Sequence, residues 1–373
     1  MTSCDALIVG GGPAGSTCAW KLRRQGLDVL VLDKHTFPRD KPCAGWITPQ
    51  VVDELKLDLA DYQQSRTLQP ITGFATALMT GPDVVTSYDR PISYGIRRRE
   101  FDHYLLVRSG ARVRLGEPLR SMERQADGWR VNGDIRTPLV IGAGGHFCPV
   151  ARHLGAKPGR TETAVTAQEI EFEMTPAQIQ ECAVSPGVPY LYFCDDLTGY
   201  GWYYRKGNFL NVGLGREDPD ELSKHVAVFC DLLKQRRKIP QDLPGKMVGH
   251  AYLLYHHAPR TVVSDGVLLI GDAAGLAYDL SGEGIRPAVE SGLMAAEVVR
   301  AAAGNYPLAN LQPYATQLQA RFGKKERRSS LDFVPLGLYR LVAAQLMKSR
   351  WFSRHVIVER WFLNAHKAAL SAG

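Results

Sequence analysis

The chain has 373 residues, 45% hydrophobic and 22% charged, with a formal net charge of +7, which suits a two-domain globular protein with a sizeable core. The charge is uneven: residues 306–373 hold eleven Lys or Arg against three Asp or Glu, and the preceding 305 residues are close to neutral, which argues against nucleic acid as a partner. No run approaches the ~18 consecutive apolar residues of a membrane span, and a first strand expected from about Asp5 leaves no room for a basic, apolar leader.

The seven cysteines (Cys4, Cys18, Cys43, Cys148, Cys182, Cys194 and Cys230) include no Cys-x-x-Cys pair, so zinc and dithiol readings are weak and a reducing cytoplasm fits. In chain order, Leu7-Ile8-Val9 and Val29-Leu30-Val31-Leu32 read as parallel strands buried on both faces. A helix over 14–26 lies between them, ending at Gly26. Residues 34–48 form a loop. Residues 71–97 read as antiparallel strands broken at Gly81-Pro82, residues 99–110 as a helix, and 111–141 as several short strands. Residues 163–215 are strand-rich and aromatic, with a turn at Lys206-Gly207-Asn208, and 219–236 form an amphipathic helix. Strand Val267–Ile270 runs into Gly271-Asp272, and a small-residue helix follows to about Ala303. From 308 onward the pattern is helical to the end.

The chemistry begins with Gly10, Gly12 and Gly15, a G-x-G-x-x-G that follows a strand and opens a helix. The first glycine permits the tight turn, the second lets backbone approach a pyrophosphate, and the third lets helix and strand pack closely. Pro13 and Ala14 start the helix, whose N–H groups and dipole favour phosphate. Asp33, 21 residues after Gly12, ends the second strand where a carboxylate meets ribose hydroxyls, and Lys34 follows it. Far downstream, Gly271-Asp272 closes another strand, and Ser281-Gly282-Glu283-Gly284-Ile285 opens another helix. An acid there can bind ribityl hydroxyls, and a helix N-terminus behind glycines can stabilise charge on a reduced flavin. These features favour FAD over NAD.

The order of G-x-G-x-x-G, Phe37-Pro38-Arg39-Asp40-Lys41-Pro42-Cys43-Ala44-Gly45, Arg98-x-x-Phe101-Asp102 and Gly271-Asp272-Ala273-Ala274-Gly275 resembles the geranylgeranyl reductase family, within the p-hydroxybenzoate-hydroxylase-like flavoproteins. Tyr200-Gly201-Trp202-Tyr203-Tyr204-Arg205-Lys206 resembles the Tyr-x-Trp-x-Phe-Pro-Lys segment that lines the lipid pocket of such reductases. The resemblance covers about residues 5–300. It implies that Gly10, Gly12, Gly15 and Asp33 hold ADP-ribose, that Arg98 reaches the phosphate or ribose region, and that Asp272 meets the ribityl-pyrophosphate region. It places Cys43, Ala44, Gly45 and Trp46 against the isoalloxazine face, and Gly282 and Gly284 close to the ring. Within Gly142–Cys148, Gly144 stands where NADPH-using hydroxylases of this fold carry Asp. There is no second dinucleotide fingerprint, so the electron donor is either NAD(P)H binding transiently or a redox partner protein. Flavin halogenases need a lysine after the first βαβ unit, and this chain has none between Lys56 and Lys157.

The expected fold is α/β: a Rossmann-like FAD-binding domain (1–65, 95–160 and 260–305), an inserted, mainly antiparallel substrate domain (66–94 and 161–259) and a helical C-terminal segment (306–373). The expected activity is reduction of carbon–carbon double bonds in a hydrophobic, isoprenoid-type substrate. The alternatives are an FAD-dependent monooxygenase of an aromatic or polyketide substrate and a lipid-escort protein of the same fold. Cys43 is a candidate working thiol, or else a small packing residue in a tight loop. Cys148 stands at a helix-capping position and reads as structural. Strand alternation puts Tyr200, Trp202 and Tyr204 on one face as pocket lining and Tyr203 on the other. His256 and His257, if on a strand, point apart and cannot share a metal. Arg321, Lys324, Lys325, Arg327 and Arg328 precede the apolar stretch Phe333–Met347, and Trp351, Phe352, Trp361 and Phe362 follow among further basic residues. That pattern fits either a peripheral contact with an anionic membrane or a helical cap with a solvated basic face.

Overall fold

The computed structural model describes residues 1–159, 162, 164–182, 184–218, 220–325 and 342–370. Arg327, Arg328 and most of the Phe333–Met347 stretch lie outside them. At the centre is a six-stranded sheet in the order Val263–Ser264, Val267–Leu269, Val140–Gly142, Ala6–Val9, Val29–Asp33, Arg112–Leu115. All its pairings are parallel except the first. Every residue of Ala6–Val9 and Val29–Asp33 is buried, as expected of strands covered on both faces. Helices Pro13–Arg24 and Ile285–Ala301 pack side by side on it. Their approach needs a bare Gly292, where a Cβ would lie 2.7 Å from the Ala14 carbonyl oxygen.

Strands assembled from points far apart in the chain all end at one edge. Gly10, Asp33, Ala143 and Gly271-Asp272 therefore converge at the carboxyl ends, where open α/β sheets bind ligands. A buried Arg260 braces that edge. It pairs with Glu162 through two contacts (2.7 and 2.8 Å) and donates to the carbonyls of Ala273 (2.7 Å) and His146 (2.9 Å).

A second sheet has seven strands, in the order Val248–Leu253, Ala164–Glu173, Phe209–Arg216, Gly199–Lys206, Tyr190–Phe193, Gly73–Leu78, Val84–Ser87. Tyr190–Phe193 pairs parallel with Gly73–Leu78, and the rest are antiparallel. One face packs on helix Leu222–Gln235 through Tyr192, Tyr203, Leu210 and Phe229. Gly201 leaves room there, since a Cβ would press on the Phe229 ring at 2.6 Å. A three-stranded sheet of Trp46–Ile47, Ser93–Ile96 and Leu68–Ile71 and a four-stranded one of Thr2–Ser3, Ile135–Thr137, Gly128–Val131 and Met122–Gln125 complete the fold.

Helix Leu308–Phe322 buries Leu311, Tyr314 and Leu318 against the parallel-sheet unit. The later segment Ser353–Phe362 is wound as a π-helix and sets Ile357, Val358 and Phe362 on the other face of the seven-stranded sheet. The helical pattern stops short of residue 370. From 364 to 370 the chain is irregular, because the wholly buried Arg286 holds the carbonyls of Asn364 (3.1 Å), Lys367 (2.7 Å) and Ala368 (3.0 Å). His256 and His257 lie on a single 3-10 turn, Tyr255–His257, rather than a strand, because the His256 N–H and ring are taken by Asp279. Among the described residues no helix is long and apolar enough to cross a membrane.

Candidate active site

A cavity of about 620 Å³ opens at the carboxyl edge of the parallel sheet and runs to the seven-stranded sheet. Gly10, Gly12, Pro13, Ala14, Asp33 and Lys34 line one end. Gly10 is bent to φ +117, where only glycine is at ease. Gly15 does not reach the cavity: a Cβ there would overlap the Gly10 carbonyl, so it serves the strand–helix contact. Gly12 is different, because a Cβ there would meet only an Arg39 nitrogen at 3.5 Å. Its bareness leaves the mouth of the turn open. Gly12 caps helix Pro13–Arg24 without any side-chain cap, so helix N–H groups face the cavity, as a pyrophosphate requires. The Asp33 carboxylate accepts the N–H groups of Gly11 (2.7 Å) and His35 (2.9 Å), tying the glycine turn to the second strand. The buried Arg39 Nε, also on the cavity wall, has no partner. These unmet donors, cations and glycines fit the pyrophosphate and ribose of FAD, which when bound supplies hydride chemistry.

In the middle of the cavity, Arg98 is buried and grips Asp102 in a two-point contact (2.7 and 2.8 Å), with Arg39 3.3 Å from the same carboxylate. Burial works against the Arg98 charge, and Asp102 more than restores it. Cys43 lies near this guanidinium and favours its charge. Asp272 lines the cavity beside Lys41 (3.5 Å). Burial opposes its charge too, but the Lys41 and Arg98 cations hold its carboxyl below the usual range. Gly271 lies outside the lining, packed with φ +60 against Ala14. Gly282, Gly284 and Ile285 line the wall at the start of helix Ile285–Ala301, and a Cβ on Gly282 would overlap the Tyr252 hydroxyl.

The Cys43-Ala44-Gly45 loop is held almost atom by atom. The Cys43 N–H donates to Glu169 (2.5 Å), and the Cys43 carbonyl accepts from Asn211 (3.3 Å). The Ala44 carbonyl accepts from Tyr204 and from Lys206 (2.9 Å), and the Gly45 carbonyl from Ile96 N–H (2.8 Å) and Tyr204 (2.5 Å). Gly45 adopts φ +71, with the Ile96 carbonyl 2.5 Å from where a Cβ would sit. Such a loop presents one fixed face to the cavity.

Beyond the loop the seven-stranded sheet forms a trough. Register aligns Tyr200–Gly215–Ala167, Trp202–Gly213–Glu169 and Tyr204–Asn211–Glu171 across three strands. Tyr200 and Trp202 make one wall, His250 and Tyr252 the other, and Ala167 lines the cavity between them. Phe362 closes over Tyr200 (ring centroids 5.1 Å apart) and Trp46 (6.3 Å). Tyr204 shares this face but does not reach the cavity, since its hydroxyl is spent on the Ala44 and Gly45 carbonyls. Glu169, Gly213, Gly215, His250 and Tyr252 lie outside the motifs read from the sequence. The Gly-x-Gly spacing of 213 and 215 opposite two aromatics was the available signal.

Residues 8–60 match the model of an NAD(P)-binding Rossmann-like domain family. A menaquinone reductase of Mycobacterium tuberculosis is 31% identical over 360 residues, covering 86% of this chain and 81% of that protein. A geranylgeranyl diphosphate reductase of Rhodobacter capsulatus is 32% identical over 319 residues, covering 80% and 75%. Among solved structures, a geranylgeranyl bacteriochlorophyll reductase-like protein from Thermoplasma acidophilum superposes with a TM-score of 0.74 at 22% identity, covering 93% of this chain and 88% of that one, a likeness of fold. With sequence similarity running the length of the sheets that build the cavity, the chain belongs to the geranylgeranyl reductase family of FAD-dependent oxidoreductases.

Proposed function

We propose that this protein reduces carbon–carbon double bonds of an isoprenoid chain with hydride from bound, reduced FAD. The observation that carries the reading is the trough: walls of Tyr200, Trp202, His250 and Tyr252, with the pinned Cys43–Gly45 loop at its end. An alkene offers no polar handle, so it must be held by shape and apolar contact. The relatives named for geranylgeranyl diphosphate and menaquinone reduction support a polyprenyl chain, free or on a quinone. In this reading Gly10, Gly12, Pro13, Ala14, Asp33 and Lys34 hold the ADP half, with Gly15 and Gly271 shaping the turns beneath. Arg98 and Asp272 meet the phosphate and ribityl region, and Cys43, Ala44, Gly45, Gly282, Gly284 and Ile285 flank the ring. Tyr200 and Trp202 bind substrate, and Tyr204 positions the loop. The test is an anaerobic single turnover of chemically reduced enzyme with geranylgeranyl diphosphate and with a menaquinone bearing an unsaturated chain. Products heavier by two hydrogens support the reading. Products that need oxygen and gain one oxygen atom overturn it in favour of a monooxygenase.

The electron donor in this reading is NAD(P)H bound transiently or a redox partner protein. A peripheral contact with anionic membrane is also proposed, on a narrower surface than the C-terminal charge suggests. Arg321 is spent on Glu290 (2.5 Å) and Lys325 on the carbonyls of Ala258 (2.7 Å) and Ala274 (3.0 Å). Trp351 is 65% exposed, and Val342, Leu346, Lys348, Arg350 and Arg360 are exposed along the same segment. Co-sedimentation should need anionic vesicles and weaken at high salt; equal binding to neutral vesicles overturns the membrane contact.

A further inference from the structure

Adding hydride to one carbon of an isolated double bond leaves the other carbon in need of a proton, and a dry trough offers no water to give it. The acids around the cavity differ in what they can supply. Asp272 is held ionised beside Lys41. The Tyr200 hydroxyl is committed to the Ser281 carbonyl (2.5 Å). Burial and Lys41 push His250 down to about 3, so it carries no imidazolium proton at neutral pH. Asp33, Asp40 and Glu117 also line the cavity, but Asp33 is held by the Gly11 and His35 N–H groups and none of the three lies on the seven-stranded sheet; Glu169 and Glu283 each have one buried oxygen without a partner. Glu283 stands in the turn between Gly282 and Gly284, with its other oxygen capping the Arg286 N–H (2.8 Å). Glu169 instead rises from the trough itself.

Glu169 is only 6% exposed. It shares a row with Trp202 across Gly213, whose missing side chain lets the two converge: a Cβ there would sit 2.7 Å from the Glu169 Cβ and overlap the indole. Its first oxygen is anchored by the Cys43 N–H (2.5 Å), so the second has a fixed position. Lys206 from the next strand but one, Arg98 from helix Arg98–Arg108, Cys43 from the loop and Glu171 from its own strand all face it. Burial outweighs the Cys43 N–H and Lys206, and the carboxyl is pushed up to about 7, protonated where an ordinary glutamate is not.

We propose that Glu169 is the general acid that delivers the proton to the alkene, a role that rests on the double-bond reductase reading above. One alkene carbon accepts hydride, and with it two electrons, from bound reduced FAD, which is thereby oxidised. The π bond breaks and its electron pair takes the Glu169 proton, so a C–H bond forms at the second carbon as the Glu169 O–H breaks. Solvent reprotonates the carboxylate before the next turnover.

Glu169→Gln keeps an oxygen for the Cys43 N–H but removes the proton. Reduced, FAD-loaded wild type and variant are mixed anaerobically with the same two probes, and flavin reoxidation is followed over pH. The wild-type rate should fall as pH rises through about 7. E169Q should retain FAD, react ~10²- to 10⁴-fold more slowly, the usual contribution of a general acid, and lack that limb. In flavin-free protein, infrared titration should show a carboxyl band that disappears near neutral pH in wild type and is missing from E169Q. Wild type and E169Q reacting equally fast overturns the proposal alone, as does the absence of the band in wild type. Wild type that consumes neither probe overturns the double-bond reading, and the proposal with it. If E169Q loses FAD, Glu169→Asp carries the test: a reduced rate with a shifted limb supports the proposal, and an unchanged rate and limb overturn it.

Discussion

Replacing Lys206 by Met should loosen the Cys43–Gly45 loop and destabilise the protein by an amount that depends on pH. The Lys206 ammonium is wholly buried and meets three acceptors: Glu171 at 2.5 Å and the carbonyls of Ala44 and Ile96, both at 2.9 Å. Lys206→Met leaves Glu171 with Arg97 at 3.4 Å and Asn211 at 3.3 Å. Removing one partner of a buried pair costs ~3–5 kcal/mol. We expect the lower end, ~3 kcal/mol, because the Glu171 side chain keeps 19% of its exposure and a second cation. Burial opposes the Glu171 charge, yet Lys206 and Arg97 hold its carboxyl below the usual range. In wild type that interaction stabilises the fold above the ordinary glutamate pKa and is lost as pH falls through the depressed value. The gap between wild type and K206M should therefore be widest at neutral pH and narrow in acid. Adding Glu171→Leu should recover part of the loss, since an apolar pair of similar volume often matches a buried ion pair. Urea unfolding of the flavin-free single and double variants at neutral and acidic pH measures all three effects. A K206M variant within ~1 kcal/mol of wild type at neutral pH, or a gap that widens in acid, would refute the reasoning.

Asp33→Ala should weaken FAD by ~1–3 kcal/mol in a fluorescence titration, because it removes a charged acceptor and strands the Gly11 N–H; unchanged affinity would show that the carboxylate does not meet the ribose. Cys43→Ser should alter flavin turnover in stopped flow, since the thiol sits beside Arg98 on the cavity wall. Cys148→Ser, wholly buried against Gly144 in the parallel-sheet core, should lower Tm with little change in turnover. Burial and Glu290 push the Glu54 carboxyl up to about 7; the stability of its protonated form is complete below the unfolded glutamate pKa and is lost as pH rises through 7. Glu54→Gln should thus match wild type in acid and exceed it above neutrality, by up to ~3 kcal/mol in denaturant titrations.

The nucleotide half of the site was legible because its determinants are local. Two apolar runs, a glycine turn, a helix and Asp33 lie within one stretch of chain, and each residue's backbone demands can be read beside its neighbours. Strand period alone likewise put Tyr200, Trp202 and Tyr204 on one face. What period cannot say is what a side chain meets there. Tyr204 turned out to hold the Cys43 loop, whose carbonyls lie about 160 residues away in sequence. Glu169 reads as an ordinary polar residue on an alternating strand. Only the approach of that loop and of Gly213 buries it and makes it acidic near neutrality. The C-terminal charge was plain from composition, but its use was not: Arg321 and Lys325 face inward because Glu290 and the carbonyls of Ala258 and Ala274 lie opposite. Backbone conformation and facing follow from neighbours in the chain. Burial, pairing and pKa follow from neighbours in space, and those were set when the sheets came together.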